Sequence, residues 1–191
     1  TGNVGIGTDA GNALTTGSNN ICVGLDALGA ETTGINNVAI GKGALTAQAG
    51  ATDNVAIGTD AGNALTTGID NVAVGLDALG AETTGISNIA IGKNALLVAT
   101  GSARCTAVGV AALDAQTTTG ADNTAIGADA LGAVTTGINN TAVGSQAGLI
   151  ITTGTGNVMV GKSAAPSAAG AVNQIAIGAT ATGLADNAVV I

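Results

Sequence analysis

The sequence predicts an all-β chain, a parallel β-solenoid (β-roll) of about eleven 17-residue coils. Three observations predict it. A motif of the form Asn-x-Ala-Ile-Gly returns at a fixed interval, from Asn3-Val4-Gly5-Ile6-Gly7 through Asn37-Val38-Ala39-Ile40-Gly41 to Gln174-Ile175-Ala176-Ile177-Gly178. A fixed short period means one supersecondary unit stacked on copies of itself, each burying its neighbour's face. The chain also contains no Phe, Tyr, Trp or His, so its interior must be thin and filled by Val, Ile, Leu and Ala. Finally, 32 of the 191 residues are Gly, and no apolar face persists at helical spacing through a coil, which argues against helix.

With the motif Asn as position zero, each coil can be read in order. Position zero is held by Asn3, Asn20, Asn37, Asn54, Asn71, Asn88, Cys105, Asn123, Asn140, Asn157 and Gln174. Stacked amides of this kind form a side-chain ladder along repeated strands, so the Asn is expected to be structural. Positions one to three alternate and are rich in β-branched residues, which reads as a short strand. Position four is always Gly, from Gly7 to Gly178, and ends the strand at a corner where φ is positive or backbones pack closely. A second short extended piece is expected at segments such as Asp77-Ala78-Leu79. Turns such as Thr83-Thr84-Gly85 then return the chain to the next Asn.

The step from Cys105 to Asn123 is one residue longer than the others, and the extra residue falls in Thr117-Thr118-Thr119. Residues 3–53 and 54–104 repeat each other almost word for word, so three coils were copied as a block. Two regions are expected: residues 1–173 as the 17-residue solenoid, and 174–191 as a shorter terminal coil of a 14-residue type, in which Gln174-Ile175-Ala176-Ile177 pairs with Ala188-Val189-Val190-Ile191.

Composition narrows function. A net charge of −8 with only four basic residues, Lys42, Lys93, Arg104 and Lys162, argues against nucleic acid, which requires clustered Lys and Arg. It offers no attraction to an anionic membrane either. The uncharged stretch from Ala130 to Gly161 is long enough to span a bilayer, but its Gly, Thr and Asn keep the repeat's spacing, so no membrane insertion is expected. With no His, no Cys–His pair and no acidic pair outside repeat positions, no enzyme activity is expected, and no catalytic, cofactor-binding or metal-binding residues are assigned.

Several motifs imitate sites. Gly156-Asn157-Val158-Met159-Val160-Gly161-Lys162-Ser163 fits the phosphate-loop pattern, but its middle residues are the repeat's own strand, whose N–H groups must serve the sheet. Asp9, Asp26, Asp60, Asp77 and Asp129 share position six; neighbouring carboxylates could attract a cation, yet Gly43, Asn94 and Ala111 interrupt the column and a solvated face is the reading adopted. Thr-Thr pairs beginning at Thr15, Thr32, Thr66, Thr83, Thr117, Thr135 and Thr152 suggest an ice-binding ladder, interrupted at Ala49-Gly50, Thr100-Gly101 and Ala169-Gly170. Turn chemistry accounts for Thr-Thr-Gly without ice. Asn139-Asn140-Thr141 fits a glycosylation acceptor.

The repeats, such as Asn140-Thr141-Ala142-Val143-Gly144 with Thr-Thr-Gly ahead of them, resemble the 17-residue arrays of bacteriophage tail-fibre and spike proteins. The opening Thr1-Gly2-Asn3-Val4-Gly5-Ile6-Gly7-Thr8 is similar to segments of such fibres, and the 14-residue ending resembles the head repeats of trimeric autotransporter adhesins. The resemblance implies a homotrimeric fibre displayed on a virion or on a cell surface, outside the cell. It carries over no functional residues.

The expected function is therefore a structural fibre segment, a shaft or spacer of a phage tail fibre or cell-surface appendage that supports host or surface attachment. The alternatives are that the rod itself is an adhesin or a self-assembling extracellular filament, with an ice-binding solenoid third. The expected partners are further copies of the chain, in a trimer, and a cell-surface glycan or protein receptor. Ala at position seven and Gly at position four are expected to let rods approach closely. Leu28, Leu45, Leu79, Leu96, Leu113 and Leu131 at position eight should join the contact or the core beside it. Cys22 and Cys105 lie five coils apart, about 24 Å at ~4.8 Å per coil, too far for a disulfide within one chain. Cys22 should be a buried thiol and Cys105, beside Arg104, the more accessible of the two.

Overall fold

The computed structural model describes residues 2–117 and 121–191; Thr118 and Thr119, where the extra residue of the repeat falls, lie outside them. The strands are β1 (Val4–Ile6), β2 (Ile21–Val23), β3 (Val38–Ile40), β4 (Val55–Ile57), β5 (Val72–Val74) and β6 (Ile89–Ile91). They continue as β7 (Thr106–Val108), β8 (Thr124–Ile126), β9 (Thr141–Val143), β10 (Val158–Val160), β11 (Ile175–Ile177) and β12 (Val189–Val190). All twelve form one sheet in sequence order, and every pairing is parallel and in register, as in Val55↔Val72, Ala56↔Ala73 and Ile57↔Val74. The fold is a parallel β-solenoid of about eleven turns. From β11 to β12 the register is Ile175↔Val189 and Ala176↔Val190, a spacing of 14 residues.

Each strand turns its small residue inward. Ala39, Ala56, Ala73, Ala90, Ala107, Ala125, Ala142 and Ala176 at position two are buried, with Cys22 and Met159 in the same column. The β-branched residues on either side, at positions one and three, point outward. The core is a narrow strip in which this column faces the Ala of position seven and the Leu of position eight; Ala78, Leu79, Ala95 and Leu96 are all inaccessible to solvent. The position-seven and position-eight side chains therefore belong to the core of their own chain, not to a contact between rods.

Position four needs Gly for two reasons. Its φ is between 128° and 138° from Gly7 to Gly178, and a Cβ built on Gly58 would lie 2.6 Å from the carbonyl oxygen of Gly75 in the next coil. The close approach that this Gly permits is thus between successive coils of one chain.

The expected second extended piece is a turn instead. Asp77 and Leu79 both sit in the left-handed region, with φ of 53° each, and the Ala78 N–H donates back to the Gly75 carbonyl at 3.4 Å. Alternation between left-handed and ordinary conformation lets Asp77 N–H reach Thr59 of the preceding coil and Leu79 N–H reach Ala95 of the following one. The backbone stays fully used without being a strand.

Position eight also sets what position eleven can be. Where position eight is Gly (Gly11, Gly62, Gly148), position eleven is Leu14, Leu65 or Ile151; where it is Leu, position eleven is small or polar, as in Leu79 with Glu82 and Leu96 with Ala99, except for Val134 beside Leu131. A Cβ on Gly62 would lie 2.9 Å from Leu45 Cδ2 and 3.1 Å from Leu65 Cδ1. In most coils one large apolar side chain fills the strip, and it enters from either side.

Candidate functional site

The ladder at position zero is the most regular polar feature. Asn37 N–H and its Nδ2 both donate to Asn20 Oδ1, at 2.9 and 3.2 Å, and Nδ2 also donates to the Ala51 carbonyl at 2.8 Å. The same triad recurs at Asn71, Asn88, Asn140 and Asn157. These amides are buried, and nothing in their geometry is left over for a ligand.

Cys105 interrupts this ladder and, against expectation, is as buried as Cys22. Both thiols are free, and burial pushes both above the ordinary thiol range. Cys105 is inaccessible because the ladder lies inside the coil rather than at an outer corner. Its missing amide is replaced by Gln116, whose Nε2 donates to Cys105 Sγ at 3.3 Å while its Oε1 accepts from Asn123 Nδ2 at 3.1 Å. Gln116 thus carries the ladder across the defect, a repair that sequence reasoning missed. The signal available was an amide side chain at position eleven in the same coil as the missing Asn.

Two buried carboxyls were also missed. Glu31 and Glu82, at position eleven, are inaccessible to solvent. Glu82 Oε1 accepts the N–H groups of Thr83, Thr84 and Gly85, and its Oε2 accepts Ser102 N–H and Oγ–H. Glu31 Oε1 accepts Thr32, Thr33, Gly34 and, from the next coil, Gly50. Its Oε2 has no hydrogen-bond partner, nor does either amide atom of Gln48 in the coil above. These carboxyls close turns; they do not face a cleft.

The position-six Asp residues occupy left-handed backbone, with φ between 53° and 56° at Asp9, Asp26, Asp60, Asp77 and Asp129. Asp tolerates that region well, so backbone conformation accounts for the column. Among the described residues no group of three or more His, Cys, Asp or Glu gathers as metal ligands would. The first Thr of a pair donates its hydroxyl to the next coil's carbonyl, as Thr15 does to Thr32 and Thr66 to Thr83, both at 3.0 Å. Val158–Val160 of the phosphate-loop pattern is strand β10, paired on both sides. Asn139 is exposed, in left-handed backbone.

What remains open to solvent is the outer face of the sheet. Ile40, Ile57, Ile91, Ile126, Val143 and Ile177 in the position-three column are 37–41% exposed, and the position-one column runs beside them from Val4 to Ile175. Every residue in both columns is Val, Ile or Thr. No helix among the described residues is long and apolar enough to cross a membrane. No family model matches this chain, and no curated protein matches it.

Proposed function

We propose that the chain is a structural fibre segment: a shaft or spacer, displayed on a virion or outside a cell, that holds an attachment element away from its base as part of a homotrimer. The observation that supports this reading is the in-register repetition itself. Strands β1 to β11 stack with the same register at every step, so length is set by coil number, as a spacer requires. At ~4.8 Å per coil the stack is about 50 Å long.

The test is excision of one three-coil block, residues 54–104. Asp53 then joins directly to Cys105, which holds position zero of its own coil, so whole coil follows whole coil across the cut. The shortened protein should stay folded and lose about 14 Å of length by small-angle scattering, at three coils of ~4.8 Å. Unfolding of the shortened chain, or an unchanged longest dimension, would sink the spacer reading. Light scattering reports the copy number; a stable monomer at micromolar concentration would remove the trimer.

A further inference from the structure

We propose that the outer face of the twelve-strand sheet is a self-association surface, on which further copies of this chain pack parallel to one another about an axis running along the stack. The proposal rests on the shaft reading for the identity of the partner and adds the surface and the direction.

Purely parallel sheets are usually covered on both faces by the helices of their crossover connections, and among the described residues the strands of this stack have none. Here the inner face covers the core and the outer face covers nothing within the chain. It presents two unbroken columns of Val, Ile and Thr, with no charged residue at position one or three in any coil. A strip about 50 Å long and roughly 10 Å wide covers about 500 Å² before the relief of its side chains is counted, against about 800 Å² per partner in a standard stable interface. Patches beyond a few hundred Å² are uncommon on monomers. Among the described residues, two other columns with exposed apolar side chains are free of charge, position ten from Ala13 to Ile150 and position fifteen from Ser18 to Val172, but the first is Ala apart from Val98 and Ile150 and the second is broken by Ser, Thr and Ala.

Charge at the two margins of the strip selects direction. The margin before the strand carries Asp53, Asp70 and Asp122 just ahead of position zero, with Arg104 among them paired to Asp122 at 2.6 Å; the margin after it carries Lys42, Lys93 and Lys162 at position five, and all of these are exposed. If two faces meet with their stacks antiparallel, each margin meets its own kind, acid on acid and Lys on Lys. If the stacks are parallel, the acidic margin of one copy meets the basic margin of the next. Lys42 then lies one coil from Asp53, and Lys93 one coil from Asp70, within reach of a lysine side chain.

The experiment uses the whole chain. Light scattering should give a stable oligomer, and Ile57→Lys combined with Val72→Lys should weaken association by roughly a hundredfold or more, since each buries an unpaired charge. Ile150→Lys on the far side should leave the mass unchanged. A milder set, Val55→Thr, Val72→Thr and Ile89→Thr, keeps residues the strand already uses at Thr106, Thr124 and Thr141, and should weaken association while the circular dichroism stays the same. Direction is read by carbodiimide cross-linking of mixed light and heavy-isotope protein: Lys42–Asp53 and Lys93–Asp70 links between light and heavy chains are expected. An oligomer that survives both sets of face substitutions overturns the surface. Links joining only opposite ends of the stack overturn the direction. A parallel dimer upholds this inference and defeats the trimer, so the two readings fail separately.

Discussion

The corner at Ile151 and the corner at Glu82 are asked to satisfy the same backbone and do it with different atoms. At the first, the N–H groups of Thr152, Thr153 and Gly154 all point at one acceptor, the Ala169 carbonyl of the next coil, at 2.9, 3.3 and 3.2 Å. At the second, the equivalent N–H groups of Thr83, Thr84 and Gly85 point at Glu82 Oε1 at 3.0, 3.2 and 2.8 Å. The first corner is closed by its neighbour, the second by its own side chain. Both Glu corners lie beneath coils whose turns depart from Thr-Thr-Gly, at Ala49-Gly50 and Thr100-Gly101. A self-supplied acceptor frees the next coil to turn differently, and Ser102 uses the freedom to donate twice to Glu82 Oε2. The departure at Ala169-Gly170 keeps its carbonyl in place and has Ile151 beneath it.

Replacing Glu82 by Leu tests that difference most severely. It removes the acceptor of five hydrogen bonds and crowds Leu79. Unfolding in urea should show a loss of about 4 kcal/mol. A loss below ~1 kcal/mol would mean that the next coil's carbonyl readily takes over, and that the two corners are interchangeable. The double change Leu79→Gly with Glu82→Leu copies the Gly62–Leu65 coil, so the pair should be less damaging than the sum of the single changes by at least ~1 kcal/mol. Strict additivity would break the account of core filling.

Gln48 sharpens the comparison from the other side. Its amide is buried without a partner above Glu31, so Gln48→Met, which keeps the volume, should raise stability by about 1 kcal/mol, read as a higher melting temperature. A fall would mean that Gln48 supports the Glu31 corner. The smallest effect concerns the 14-residue coil. Asp186 Oδ1 accepts from Val172 N–H at 2.8 Å and from Gln174 Nε2 at 3.2 Å, and these bonds hold its carboxyl below the usual range. Because the folded value is the lower one, this contribution is complete above the ordinary Asp value of about 3.9 and disappears as pH falls through the lower folded value. The Val172 amide resonance should therefore shift in that acidic window, and Asp186→Asn should abolish the shift.

Periodicity made the coil legible, since a residue that must meet its own copy recurs at the copy's spacing. That is why the Asn ladder, the Gly corner and the 14-residue register between β11 and β12 could be read from letters alone. What periodicity does not encode is direction. Val and Ile at positions one and three look like core residues, yet Ala at position two faces inward, because the strip is too narrow for anything larger beside the position-eight Leu. Nor does it reveal conformations contrary to residue preference: Leu28 and Leu79 hold φ of 54° and 53°, where Leu is rarely found. Glu31 and Glu82 look like surface carboxyls until the turn amides around them are placed. Cys105 reads as accessible only while the ladder corner is taken to lie on the outside of the coil.

The direction of the hydrogen bonds also determines how such a stack bears load. Strand-to-strand bonds and the Asn amides both run along the axis, so tension applied between the two ends falls on one coil's bonds at a time rather than on all in parallel. The stack should come apart like a zip, from an end, at low force. Each full coil that peels away frees 17 residues, about 55–60 Å of slack at ~3.3–3.6 Å per residue, while the final coil of 14 residues frees about 46–50 Å by the same measure. A pulled stack of these coils would lengthen in near-equal steps, absorbing sudden strain without breaking its chain.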